Sequence, residues 1–175
     1  MPSPEGTATS IPGSLASSFA ILRAPRQPIV DSLPPDGVVA ITTPGGIGGH
    51  YGANPVLSRY AGSIDGTSFW LVPGDLGSCV YTSNAGTICT SNARMSSQGT
   101  QGLIVPDAGG ADTFLGVVSD NAGVIATNND GSQASVSRSG DAYIVSGDPN
   151  LHSVTVREAN GQDQTSAVPQ TPPPS

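Results

Sequence analysis

Cys79 and Cys89 are the two cysteines of this chain, and they flank a polar turn in GSCVYTSNAGTICTS, residues 77–91. Such a pair can bridge, bind a metal, or stay as two thiols. Zinc takes about four ligands. Reaching four would mean recruiting His50 and His152 from distant segments, with no paired spacing between them. A CxxC redox motif is absent. If SCVYT and TICTS form a hairpin centred on Asn84, the two cysteines face each other directly, and a non-hydrogen-bonded pair is close enough to bridge. Gly86 works against that register. It suits the left-handed position of a four-residue loop, which would shift the pairing by one residue and call for a bulge. A Cys79–Cys89 disulfide is the expectation, with two reduced thiols as the alternative.

General acid–base chemistry near neutral pH would fall to His50, His152 or a buried Asp with a raised pKa. There is no G-x-S-x-G nucleophile elbow. A Ser–His–Asp site assembled in three dimensions stays open as an alternative, because such triads are recognised by geometry and not by order. Asp36, Asp65, Asp107, Asp120, Asp130, Asp141 and Asp148 all lie near turn signals. Asp is at home there because its side chain bonds nearby backbone. NNDGS at 128–132 offers Asn128, Asp130 and Ser132 at alternate positions but lacks the downstream Glu of a calcium loop. In PGGIGGHYG, Gly46 and Gly48 fit a dinucleotide fingerprint, but Tyr51 stands where its third glycine belongs. The P-loop needs a Lys, and all six basic residues here are Arg. No catalytic, cofactor-binding or metal residue is therefore assigned, and no cofactor is expected. Gly45–Gly62 reads instead as an interaction surface carrying His50, Tyr51, Arg59 and Tyr60, residue types that serve interfaces well. The alternative is that it only covers one face of the main domain.

The elements that would position these residues are mostly strands. From Ser68 onward, short runs such as SFWLV, FLGVVS, DAYIVS and HSVTVRE alternate with turns such as NNDG and ANG. That spacing predicts a mainly β fold, a small antiparallel sandwich or barrel-like domain with short N-terminal helices. Its core would draw on Trp70, Val80, Ile104, Leu115, Tyr143 and Val154, among others. Residues 1–13 read as a disordered lead and 14–63 as a helix–loop–helix segment packed on the core. Residues 64–160 read as the β domain and 161–175 as a proline-rich disordered tail. Leu15, Phe19 and Leu22 recur at helical spacing, which predicts one helix of about ten residues capped by Ser14 and ended by Pro25. Residues 36–44 predict a short strand. NPVLSRYAG predicts a second helix, with Asn54 as cap and Gly62 beyond its end.

Charged residues are 11% of the chain, and the net charge is −7. An acidic chain with scattered arginines has no stripe to track phosphates, so nucleic acid is not an expected partner. Anionic membranes would repel it. No apolar run approaches the roughly 20 residues of a membrane span. MPSPEGTATS has no basic, apolar export pattern. The chain is expected to act outside the cytoplasm after loss of an export segment, the alternative being an intracellular regulator with reduced thiols.

The succession FAILRAP, NPVLSRYAG, WLVPGDLGSCVY, TICTS, FLGVVSDNAGVIAT, DGSQASVSRSGDAYIV and VTVREANG resembles a loose group of exported actinobacterial proteins of unknown function. In that group a helix precedes a small β domain, and a VPG turn leads to a cysteine strand. This chain departs from it at SGDAY, where an Asn before the Tyr is usual, and at SDNAGV, where Pro-Asp-Gly is usual. The resemblance implies an extracytoplasmic structural or interaction module with an unknown protein or cell-envelope partner. It brings no activity with it.

Overall fold

The computed structural model describes residues 8–106 and 112–168. The chain enters through short helices: α1 (Gly13–Ser18), α2 (Ala20–Arg23), α3 (Pro28–Asp31), α4 (Pro35–Thr42) and α5 (Ile47–His50). The single helix expected near residue 14 is broken at Phe19, whose backbone is extended (φ −120°, ψ 113°). The break turns the Phe19 ring fully into the core. Arg23 supports the interruption, because its Nη1 donates to the end carbonyls Ala16 O and Ser17 O of α1. Ser14 does not cap; Pro12 holds that position.

Two local expectations are corrected. Residues 36–44 are helical and not a strand: Pro35 starts α4, where its missing N–H costs nothing. Gly37 and Ile41, one turn apart, face inward. The β-branched run there signals burial, not extension. The helix expected after Asn54 is a single 3₁₀ turn, Pro55–Leu57. Asn54 does cap it, accepting from Val56 N at 3.0 Å. The chain then enters a strand at Arg59.

Three four-stranded antiparallel sheets follow. Sheet 1 runs in chain order through β1 (Arg59–Ile64), β2 (Thr67–Pro73), β3 (Gly77–Thr82) and β4 (Gly86–Ser91). An unforeseen helix, α6 (Asn92–Gln98), comes next. Ser91 caps it by accepting from Arg94 N, and Gly99 ends it at φ 64°. The later strands are β5 (Thr100–Val105), β6 (Thr113–Val118), β7 (Gly123–Asn128), β8 (Gln133–Ala134), β9 (Ser137–Ser139), β10 (Ala142–Val145), β11 (Leu151–Arg157) and β12 (Asp163–Ala167). Sheet 2 has the order β5-β6-β10-β9 and sheet 3 the order β12-β11-β7-β8. Among the described strands no sheet closes on itself, so the barrel-like alternative does not hold. The result is a mixed α/β domain, mainly antiparallel sheet with N-terminal helices. All of β1 but Ile64 lies within the segment expected as helix–loop–helix, and β12 lies within residues expected to be tail. Residues 1–7 of the expected lead and 169–175 of the expected tail lie outside the described residues. No helix among the described residues is long and apolar enough to cross a membrane.

Sheet 2 is the middle layer, and the side-chain alternation of a strand explains how. Leu115, Val117, Ala142 and Ile144 pack with Phe69, Leu71 and Val80 of sheet 1 and with Phe19 and Met95. Their neighbours Phe114, Val118, Tyr143 and Val145 pack with Ala126, Leu151 and Val154 of sheet 3. Strands buried on both faces read as continuous apolar runs, as FLGVV and AYIV do. The outer face of sheet 1 meets Leu33, Ile41 and Ala53 of the N-terminal segment. Ile104, expected in the core, is 53% exposed on the edge strand β5.

Candidate functional site: a pocket under the N-terminal segment

The sequence singled out four residues between Gly45 and Gly62, and the structure divides them into two places. His50 is exposed at the end of α5, its ring edge-on to Tyr51 at 5.1 Å. Tyr51 is half-buried at the start of β3: a Cβ on Gly77 would lie 2.2 Å from its Cδ1. Its carbonyl accepts from Leu76 N and Gly77 N. Tyr60 lies across Trp70, which lies across Tyr81 near the other end of β3. The ring centroids are 5.6 and 5.8 Å apart, an aromatic ladder over three strands.

α3 and α4 are strapped onto that ladder. Trp70 Nε1 donates to Val30 O at 3.2 Å, and Tyr81 Oη donates to Asp36 Oδ2 at 2.7 Å. The bond from Tyr81 is the largest influence holding the Asp36 carboxyl below its ordinary range. Burial, followed by that same bond, pushes the Tyr81 hydroxyl up to about 12. Gly48, within α5, serves close packing: a Cβ there would lie 2.4 Å from Ile41 O.

At one end of the strap lies a cavity of ≈ 210 Å³, bounded by Ile21, Pro25, Val30, Asp31, Arg59 and Tyr60. Arg59 is 8% exposed. Its Nη1 donates to Leu57 O and Ser58 O, both at 3.1 Å, and its buried Nε has no partner. Asp31, 7% exposed, does not pair with it directly. Its carboxylate accepts from Tyr60 N at 2.8 Å and Gln27 N at 2.6 Å, which ties α3 to β1. Burial lowers the Arg59 pKa, Asp31 raises it, and Arg26 lowers it further. Sequence reasoning picked out Arg59 and Tyr60 but missed Asp31. In the sequence it looks like one more turn Asp, and only the tertiary fold buries it.

The alternative catalytic groups are placed differently. His152 is exposed in a bulge of β11 between Leu151 and Ser153. Among the described residues, neither imidazole hydrogen-bonds a Ser or Asp side chain. NNDGS satisfies itself: Asp130 Oδ1 accepts from Ser132 N and Oγ, and Asn128 Nδ2 donates to Ser132 Oγ. Among the described residues no group of three or more His, Cys, Asp or Glu could hold a metal ion. Cys79 and Cys89 are bridged. They are direct partners in the register of β3 and β4, with Cα atoms 4.0 Å apart. The loop is the short one centred on Asn84, with Thr82 opposite Gly86, so the register shift that Gly86 threatened does not occur.

One carboxylate departs upward. Asp141, 8% exposed, keeps its proton to about 6, first because of burial and then because of Asp120, against the pull of Arg138. The unfolded chain releases that proton near 3.8. Between these values the folded state binds more protons, so this group's contribution to stability falls as pH rises from about 4 to 6 and is flat above. Allowing for solvent screening, the loss is about 1–2 kcal/mol. Asp141→Asn is expected to remove this part of the pH dependence. Urea unfolding at pH 4.5 and 7 checks it, and a variant with the parent's profile would rule it out.

The chain matches no protein-family model, no curated protein and no solved structure.

Proposed function

We propose that this chain is a non-enzymatic recognition or structural module that works outside the reducing cytoplasm, with a protein or cell-envelope component as partner. The Cys79–Cys89 bridge carries the reading. Cytosolic thiols are held reduced, and disulfides persist in oxidising compartments. The bridge therefore argues against the regulator with reduced thiols. The resemblance to exported actinobacterial proteins points the same way. Recognition is supported by the pocket that takes in Arg59 and Tyr60, and by the exposed His50 beside Tyr51. The hydrolase alternative draws no support from the histidines, whose rings have no hydrogen-bonded Ser or Asp among the described residues.

The test is fractionation of cells expressing the natural gene, with thiols alkylated before any reduction. Both cysteines are expected to resist alkylation until reductant is added, and the protein to appear with the envelope or in the medium. Two labelled thiols in freshly fractionated protein would overturn the compartment. Turnover of ester or peptide substrates that disappears in His50→Ala or His152→Ala would replace this reading with the hydrolase.

A further inference from the structure

The described sheets end in six edge strands: β1, β4, β5, β8, β9 and β12. An open edge invites pairing with another chain, and proteins blunt it with short strands, bulges or charges. Four of the six are guarded in this way. β8 has two residues and β9 three. β1 carries the bulge at Ala61, and β12 carries Asp163, paired with Arg157. β4 and β5 have no such device. Each runs six residues in unbroken register without a charge or a proline. Both border one cavity of ≈ 290 Å³, whose far wall is Val156, Gln164 and Ser166 of sheet 3. The edge of the middle layer thus lies in a slot between the two outer layers.

Hydrogen-bond parity says which backbone groups face the slot. Ser119 N donates to Gly99 O, while Val118 N donates to Asp141 O on the other side of β6. Bonds in an antiparallel pair alternate, so Gln101, Leu103 and Val105 are the residues of β5 bonded to β6. Thr100, Gly102 and Ile104 turn their N–H and C=O groups to the open edge, which no described strand covers, and all three line the cavity. Ile104 is 53% exposed. Gln101 lines the same cavity; it is 8% exposed, yet its amide bonds nothing among the described residues and is not sealed from solvent. Arg94 is exposed on α6, where its Nε donates to Gln98 Oε1 at 3.2 Å and no described carboxylate pairs with it. Among the described residues bounding the cavity it is the one charge, and it is positive in a chain of net charge −7. We infer that this slot binds an extended peptide segment of a partner protein, added antiparallel to β5 as a fifth strand of sheet 2, with an acidic side chain beside Arg94. Main-chain bonds to Thr100, Gly102 and Ile104 give the affinity, and the pleat gives the selectivity. Alternate peptide side chains meet Ile104 and Val156 on one face and Gln101 and Arg94 on the other. A second copy of this chain fits worse, because its β5 lies in an equal slot and both copies are acidic.

This assignment rests on the reading of the chain as a recognition module and gives its protein partner a place apart from the Arg59 pocket. The probe is the peptide Thr-Val-Thr-Val-Glu-Val, labelled with fluorescein at its N-terminus and amidated at its C-terminus. Set antiparallel on β5, it places its first valine opposite Ile104, its second opposite Gly102 and its glutamate opposite Gln101. The oxidised full chain is titrated into it while anisotropy is read, and a saturable rise is expected. N-methylation of the second valine removes an N–H that reaches Gly102 O, and is expected to weaken binding about tenfold. N-methylation of the glutamate, whose N–H points away from β5, is expected to change little. Arg94→Ala is expected to weaken binding about threefold, and to have no effect on the analogue with glutamine in place of glutamate. Ile104→Lys puts a charge on the open edge at an exposed position, and is expected to weaken binding about tenfold or more while leaving Tm unchanged. No saturable rise, or equal loss from the two N-methyl groups, overturns the inference. So does a dimer of the free chain that Ile104→Lys splits, since the occupant would then be a second copy. Any of these failures leaves the alkylation result intact, whereas histidine-dependent turnover would remove the module reading itself.

Discussion

Gly62→Ala is expected to destabilise the fold by on the order of 3–5 kcal/mol, among the largest effects of a single added methyl group. Two independent causes combine. Gly62 has φ +148°, a region that L side chains rarely adopt. A Cβ there would also lie 2.0 Å from Ser139 O and 2.8 Å from its carbonyl carbon, so backbone would have to move. The position is a seam between sheets. The register of β1 slips between Tyr60 and Gly62, leaving Ala61 as the bulged residue. Its freed carbonyl accepts from Asp141 N at 3.0 Å, which joins β1 to the turn between β9 and β10. Pushing the strands apart at Gly62 would break that bond and open the core between Ala61 and Ala142. For a chain of this size the loss corresponds to roughly 6–20 °C in Tm. Gly66→Ala is the control: it has φ +78° but open space around the added carbon. It carries the backbone strain alone, about 1–2 kcal/mol. Equal losses for the two variants in thermal and urea unfolding would show that the seam does not matter.

Removing the disulfide with Cys79→Ala and Cys89→Ala together is expected to cost about 2–3 kcal/mol, a fall of roughly 4–12 °C in Tm. The closed loop is short, with a sequence separation of 10, so the entropy taken from the unfolded chain is moderate. The bridge still matters because of where it sits. Cys79 is fully buried and Cys89 is 8% exposed, and both pack with Leu33, Ile41 and Val72 beneath the N-terminal segment. Loosening the β3–β4 pair therefore also loosens the floor under α4. Reducing the wild-type protein should reproduce most of the loss, and a reduced protein with unchanged Tm would contradict this account.

Much of this could be read in the chain directly. Strand existence from Ser68 onward was legible because a half-buried strand writes its two faces as alternating residues, and Gly-Asn-Asp clusters mark the turns. The cysteine pairing was legible because a hairpin fixes its own register locally. The Asn54 cap was legible for the same reason, since a cap is a contact between near neighbours. α6 was missed although its signals, Ser91 as cap and Gly99 as stop, were present; its single fully buried side chain, Met95, gives too little periodicity to stand out. α4 was misread because β-branched residues record burial as readily as extension when a run is short.

By itself the sequence determined part of the local chemistry: most of the runs that extend from Ser68 onward, the turns between them, and a cysteine pair placed to face across a hairpin. Only the tertiary structure decided what depends on distant segments. It split the strands into three layers with sheet 2 in the middle, because which face of FLGVV meets which sheet is set by the partners of both faces together. It buried Asp31 of α3 and Arg59 of β1 at the wall of one cavity, removing two ordinarily exposed residue types from the surface. The physical reason is the same in each case. Local signals encode hydrogen bonds and torsions within a few residues, whereas burial, charge balance and cavity shape are properties of segments that come together only in the folded chain.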